Sequence, residues 1–202
     1  GSKVAALNGL PPDSTEDELK ALGAAAASSG SVAMFHAVGV TPEAATLDEA
    51  AGGNGSALEC VGLGKASLND VVGRLCKAEA GEQVAALCAG TPHFSLREFR
   101  RMASLVGGQR AAPGVDVLVS TSREIAGQLD AADWAEPLRS FGTRIVVDTC
   151  TYLNPVALAG EGVVVTNSAK WAHYAPGNIQ RRSALMSLQR AVRCAVAGKI
   201  VP

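Results

Sequence analysis

From residue 84 onward the chain repeats one pattern, short branched apolar runs separated by helical stretches, and this pattern most constrains its fold. The runs lie at residues 84–87 (VAAL), 115–119 (VDVLV), 144–147 (RIVV) and 163–165 (VVV), with helical patterns near 95–105, 122–129 and 134–141 between the first three. A strand buried on both faces reads as a continuous Val/Ile/Leu run, whereas a half-exposed strand alternates apolar with polar residues. Continuous runs interleaved with helices predict an α/β domain over residues 82–202, a parallel β-sheet flanked by helices. The stretch 153–162, with Asn154-Pro155 and Gly160, reads as a brief helix or a loop, and an amphipathic helix is expected over about 180–197.

Residues 1–81 read as a smaller α/β segment. Ser14, Thr15 and the acidic residues 16–18 supply a cap and a first turn for a helix running to about Ser28, and a strand is expected over 31–36. Gly39 permits unusual backbone angles, Thr41 can cap, and Pro42 suits the first turn of a following helix, where Glu43 reads as a first-turn charge. Residues 52–55 (GGNG) form a loop, and Ser67 with Asp70 reads as a capping box for a helix ending near Gly81. Gly1-Ser2 has the look of a tag-cleavage scar and Lys3 follows no initiator, so the chain is expected to be a segment of a longer protein.

Charge and composition remove several classes of function. Lysine and arginine total 18 against 19 acidic residues, a net charge of -1 with no basic cluster, which excludes a polyanion or anionic-membrane partner. No apolar stretch approaches the roughly 20 residues of a membrane span and no signal-peptide pattern opens the chain, so a cytoplasmic protein is expected. Five cysteines at irregular spacing, with no C-x-x-C pair, argue against a disulfide framework, a zinc ribbon or a thioredoxin-like motif.

Two of those cysteines stand apart. Cys76 and Cys194 fall inside helical patterns and read as small core residues, and Cys60 is undecided. Cys88 and Cys150 each follow a branched run and lead into a polar turn, where a thiolate is expected to be reachable. In an open parallel sheet the crevice beyond the carboxyl ends of the strands is where ligands bind. The four strand ends carry Cys88 with Thr91 and His93, then Ser120, Thr121 and Ser122, then Asp148, Thr149, Cys150 and Thr151, then residues 166–174 with Asn167, Ser168, Lys170 and His173. Many Ser, Thr and Asp residues in such turns are simply helix caps, as expected for Ser95 and Ser122. Capping does not explain the cysteines or Lys170. His36 and His93 read equally as satisfied turn histidines or as supports for a ligand, and Trp171 and Tyr174 as packing groups.

Residues 35–44 (FHAVGVTPEA), 88–95 (CAGTPHFS), 148–152 (DTCTY) and 166–177 (TNSAKWAHYAPG) together resemble the aconitase X large subunit or catalytic domain, in its carboxy-terminal portion. The resemblance implies an aconitase-type α/β/α fold and an iron-sulfur hydro-lyase. It favours cis-3-hydroxy-L-proline as substrate, with mevalonate 5-phosphate as the alternative. A phosphate would call for a cationic or Gly-rich cradle, and none is evident; the Ala- and Gly-rich composition, hinting at a bacterial source, also favours the proline substrate. It further implies that Cys88 and Cys150 are cluster ligands, the cluster being [2Fe-2S] rather than [4Fe-4S]. The third ligand is then expected in the missing amino-terminal half and the base, a serine, in a small swivelling subunit or domain. Aconitase itself uses a C-x-x-C pair with a distant cysteine, and this chain departs from that arrangement. Lys170 and His173 are the expected catalytic groups for gripping a carboxylate, and Asn167, Ser168, Thr149 and His93 the expected substrate-binding groups. Two other readings stand beside it: an isolated scaffold domain that holds no cluster and is inactive alone, and a metal-free enzyme with Cys88 as nucleophile and His93 as base.

Overall fold

Residues 3–153 and 160–202 are described by the computed structural model, and the chain divides into two units, Gly1–Leu68 and Asn69–Pro202. The first unit runs β1 (Ala5–Leu7), α1 (Glu16–Gly30), β2 (Phe35–Ala37) and the single turn α2 (Leu47–Ala50), and α3 (Lys65–Leu75) begins at its end. The strands β1 and β2 pair in parallel, Ala5 opposite Phe35 and Leu7 opposite Ala37. Helix α1 starts where Thr15 caps it: the Glu18 amide donates to Thr15 Oγ1 at 3.3 Å, and the Thr15 amide donates back to Glu18 Oε2 at 2.8 Å. The helix continues to Gly30 and is closed by Ser31 in the left-handed region.

The helix is thus two residues longer than expected, and the strand expected over 31–36 is found at 35–37. Thr41 does not cap a helix; its hydroxyl bonds back to the amide and carbonyl of Ala37, at 3.2 Å each, closing a turn. The next helix instead starts after Thr46, which makes its own capping box with Glu49. Glu43 is therefore no helix charge: its Oε1 lies 2.9 Å from His36 Nδ1. Ser67 is no cap either. Helix α3 already begins at Lys65, Asp70 pairs with Arg74 at 3.3 Å, and the helix stops at Leu75, six residues short of Gly81.

The second unit is the predicted parallel sheet. Its strands are β3 (Val84–Ala89), β4 (Asp116–Thr121), β5 (Thr143–Val147), β6 (Val163–Thr166) and β7 (Ser183–Leu185), all parallel, in the spatial order β5-β4-β3-β6-β7. Helices α4 (Leu96–Val106), α5 (Arg123–Asp130), α6 (Glu136–Phe141), α7 (Ala169–Ile179) and α8 (Leu188–Ala197) connect and follow them. Ser95 and Ser122 cap α4 and α5 as expected. The segment expected as one helix over 180–197 is the short edge strand β7 followed by α8, which Ser187 caps. The brief helix or loop expected around Asn154-Pro155 lies outside the described residues.

Alternation along the strands sorts the core into two layers. Leu87, Ala89, Val117, Val119, Val163 and Val165 face one way, against Phe99 and Met102 of α4, Leu138 and Phe141 of α6, and Leu188 and Val192 of α8. Ala86, Cys88, Leu118 and Val164 face the other way, against Tyr152 and, on α7, Trp171 and Ala175. Each large side chain so buried contributes about 1.5–3 kcal/mol relative to exposure. The unit therefore rests mainly on the first layer. The second is thinner and carries the chemically distinctive residues.

Candidate functional site

The strand order places a topological switch at the centre of the sheet. The chain steps from β3 to β4 to β5 in one direction, then crosses back to lay β6 on the opposite side of β3. A crevice opens at such a point, beyond the carboxyl ends of the diverging strands. The ends concerned carry Gly90 and Thr91 after β3, with Cys88 inside the strand itself, and Asn167 and Ser168 after β6.

Backbone geometry holds these ends close. Gly90 sits at φ +79°, and a Cβ there would lie 2.0 Å from the Ser120 carbonyl oxygen and 2.6 Å from its amide nitrogen, so only glycine lets β3 pass β4 at this point. The turn after it is pinned to β4 twice, by the Phe94 amide donating to Ser120 O at 3.0 Å and by Thr121 Oγ1 donating to Phe94 O at 2.7 Å. Across the switch, Ser168 Oγ donates to the Thr91 carbonyl and accepts the Trp171 amide at 3.0 Å. One hydroxyl thereby caps α7 and ties it to the end of β3. Ser168, expected to donate to substrate, has its hydrogen committed to Thr91.

Among the described residues four buried side-chain atoms have no hydrogen-bond partner: Thr91 Oγ1, Ser120 Oγ, Asn167 Oδ1 and Thr143 Oγ1. The first three stand at the carboxyl ends of β3, β4 and β6. A buried polar atom left unpaired costs about 1–3 kcal/mol, and three at one sheet end mark a place built to meet polar atoms from elsewhere.

Cys88 and Cys150 belong to the same buried cluster, with Tyr152 and Trp171 beside them. Cys88 is not past the strand end. It lies inside β3, wholly buried, because the strand continues through Ala89 and alternation turns the thiol into the second layer. Burial pushes its thiol up to about 12, partly offset by a hydrogen bond from Thr151. A thiol turned into the core and out of solvent is poorly placed to attack a substrate, so the geometry does not favour the metal-free Cys88–His93 reading. Thr151, named at a strand end but given no role from the sequence, is fully buried and also accepts the Trp171 indole N–H at 2.8 Å. Cys150 is half-buried and hydrogen-bonds Tyr152, whose hydroxyl is pushed up to about 12, first by burial and then by Cys150.

At the end of β5, Asp148 adopts φ 56° and receives the Arg123 amide at 3.0 Å and the guanidinium Nε at 2.9 Å. These bonds hold its carboxyl below the usual range, with a smaller contribution from His93 nearby. Thr149 is half-buried between Asp148 and Cys150. Lys170 and His173 lie one turn apart on α7; no ion pair holds Lys170 among the described residues, and His173 is exposed with its ring 5.1 Å from that of Tyr174. The structure thus brings Cys88, Cys150, Thr91, Asn167 and Ser168 to one end of the sheet and leaves His173 on the solvent side of α7. Among the described residues no three of His, Cys, Asp and Glu converge as a complete metal site.

Models of the second and third domains of aconitase X match residues 1–73 and 84–197 respectively. The chain belongs to the aconitase X family. It is 39% identical, over 98% of its length, to a cis-3-hydroxy-L-proline dehydratase of Pseudomonas aeruginosa, covering 34% of that protein. With a protein of the same name from Hypocrea jecorina it shares 42% identity over 91% of its length, covering 31% of that relative. A phosphomevalonate dehydratase large subunit of Methanothermobacter thermautotrophicus is 36% identical over 80% of the chain and is covered to 38%. The crystal structure of Thermococcus kodakaraensis aconitase X in its holo form has the same fold, with a TM-score of 0.80 over 96% of this chain and 48% of that one, at 23% identity. The chain spans about a third of the length of the curated dehydratases it matches.

Proposed function

We propose that this chain is the cluster-bearing part of an iron-sulfur hydro-lyase whose substrate is cis-3-hydroxy-L-proline. The observation that carries the reading is that two thiols, Cys88 and Cys150, pack in one cluster, with three unpaired buried polar atoms at the carboxyl ends of β3, β4 and β6 of the same sheet. Thiolates are the donors that iron-sulfur clusters take, so the residues present fit the group. When bound, a cluster of this kind supplies a Lewis-acidic iron that polarises the leaving hydroxyl.

Cys88 and Cys150 are its ligands from this chain, and the remaining ligand comes from elsewhere in the enzyme. Thr151 keeps the Cys88 sulfur oriented through its hydroxyl. Thr91, Ser120 and Asn167 offer hydrogen bonds to the bound ligand, Thr149 adds a hydroxyl, and Lys170 supplies the positive charge that grips the substrate carboxylate. His93 acts through Asp148, and His173, exposed on the solvent side of α7, is assigned no contact with the substrate. Ser168 is a positioning residue, because its hydroxyl is already used between α7 and Thr91. The proton-abstracting base lies outside this chain, in a swivelling part of the enzyme. Among the described residues no helix is long and apolar enough to cross a membrane, and a cytoplasmic location suits an oxygen-sensitive cluster.

Two dehydratases of cis-3-hydroxy-L-proline, at 39% and 42% identity over nearly the whole chain, support that substrate. A second reading, a phosphomevalonate dehydratase, draws on the relative at 36% identity over 80% of the chain. Turnover assays of the intact enzyme with both compounds separate them. Water loss from cis-3-hydroxy-L-proline is expected; turnover of only the phosphorylated substrate would establish the second reading, and turnover of neither would reject both.

A further inference from the structure

Directly after Cys150 the chain makes one tight turn. The Leu153 amide donates to the Cys150 carbonyl at 2.9 Å, which leaves Thr151 and Tyr152 as the two central residues. Both are buried, Thr151 at 0% and Tyr152 at 7% exposure, so their hydroxyls need partners inside the protein. Those partners are the two thiols: Thr151 hydrogen-bonds Cys88, and Tyr152 hydrogen-bonds Cys150.

Helix α7 backs both hydroxyl groups. Trp171, wholly buried, donates its indole N–H to Thr151 Oγ1 at 2.8 Å. An indole can only donate, so this bond uses the Thr151 oxygen as an acceptor and leaves its proton for Cys88. One turn further along α7, Tyr174 stacks on Tyr152, with ring centroids 5.3 Å apart and planes inclined by 27°. The stacking fixes the Tyr152 ring and with it the direction of its hydroxyl. Two residues on one face of one helix thus hold the two central residues of one turn. A cluster ligand is a thiolate and carries no proton, so in both pairs the hydroxyl is then the donor and the sulfur the acceptor.

We propose that Thr151 and Tyr152 are a pair of positioning residues, each donating a hydrogen bond to one cluster-binding sulfur and drawing charge off it, with Trp171 and Tyr174 holding them in place. This rests on the reading of Cys88 and Cys150 as cluster ligands, and not on the substrate. Hydrogen bonds to the ligand sulfurs are one means by which a protein sets the potential of an iron-sulfur centre. A donor stabilises the more negative, reduced state, and the same withdrawal of charge keeps the iron a stronger Lewis acid for the leaving hydroxyl. Removing either donor therefore lowers the midpoint potential.

Potentiometric titration of the reconstituted intact enzyme, followed anaerobically by visible absorption, tests this without reference to turnover. Thr151→Val and Tyr152→Phe each remove a hydroxyl and keep nearly the same volume. Each is expected to lower the reduced-to-oxidised ratio at a fixed potential by about tenfold, a shift of about 59 mV for a one-electron couple. Thr151→Ser keeps the donor and is expected to restore the wild-type potential. Thr143→Val controls for the loss of a buried hydroxyl as such: Thr143 pairs with Val117 and shares its face of the sheet, in the other layer, so the potential should not move. An unchanged potential in either donor variant, folded by circular dichroism and carrying its cluster, would overturn the pairing and leave the ligand reading standing. Tyr152→Phe decides alone if loss of the Trp171 acceptor unfolds Thr151→Val. A wild-type enzyme that binds no cluster would overturn the ligand reading, and the donor pair with it.

Discussion

Replacing Gly90 by alanine tests the packing of the switch point through a single methyl group. The new Cβ would stand 2.0 Å from the Ser120 carbonyl oxygen and 2.8 Å from its carbonyl carbon, both backbone atoms that no rotamer change can move. At φ +79° a side chain also costs about 1–2 kcal/mol in the left-handed region. Relieving the clash needs β3 and β4 to part by about 1 Å, a degree of overpacking that costs about 1–3 kcal/mol. The Phe94 amide bond to Ser120 would stretch with them, at about 1 kcal/mol. The sum is about 3–6 kcal/mol, or a fall in Tm of roughly 6–24 °C at about 2–4 °C per kcal/mol. Thermal and urea unfolding followed by circular dichroism measure it. Gly127→Ala is the control: Gly127 lies within α5 with nothing within 4 Å of its added Cβ, so the same change should stabilise by about 0.5–1 kcal/mol. A loss below about 1 kcal/mol for Gly90→Ala would show that the strand ends are not held as closely as the Gly90–Ser120 approach requires.

Other perturbations have defined outcomes. Ser168→Ala removes both the α7 cap and the tie to Thr91, and urea unfolding should register a loss of about 1–2 kcal/mol, with Ser168→Thr retaining part of it. Trp171→Phe keeps an aromatic ring but leaves Thr151 Oγ1 without its indole donor, at about 1–2 kcal/mol in the same assay; no measurable change would mean that Thr151 does not depend on it. Alkylation at pH 8 with mass-spectrometric mapping should modify exposed Cys60 first and leave Cys88 and Cys194 unreacted in the native chain; early modification of Cys88 would favour the nucleophile reading. Glu43, lowered from 4.5 to about 2 chiefly by its bond to His36, favours the folded state above its unfolded pKa and loses that contribution as pH falls from about 4.5 to about 2. A carboxyl NMR titration should place its midpoint near 2, and a midpoint near 4.5 would deny the His36 bond.

The sheet was legible because burial on both faces leaves a composition signal: the runs at 84–87, 115–119, 144–147 and 163–165 lie within or overlap β3, β4, β5 and β6. Caps at Ser95 and Ser122 were legible because their bonds are local. Strands β1 and β7 have only three residues each, too few to show a period, and α7 was hidden by Pro176 and by the polar residues that open it. The candidate site was half visible. Residue types at strand ends pointed to Cys88, Cys150 and Asn167, but alternation within β3 decides that Cys88 is buried, and that depends on where the strand stops. Thr151 and Ser168 owe their roles to bonds spanning 20 and 77 residues, which no local pattern contains.

The central claim is that Cys88 and Cys150 hold the cluster of a dehydratase. Anaerobic reconstitution of the intact enzyme with iron and sulfide, for wild type, Cys88→Ser, Cys150→Ser and Cys60→Ser, followed by iron analysis and visible absorption, tests it most directly. Wild type and Cys60→Ser should bind iron, show sulfur-to-iron charge-transfer absorption and dehydrate cis-3-hydroxy-L-proline, while Cys88→Ser and Cys150→Ser lose the absorption and the turnover while remaining folded by circular dichroism. Full iron content and undiminished activity in either of those two variants would contradict the account.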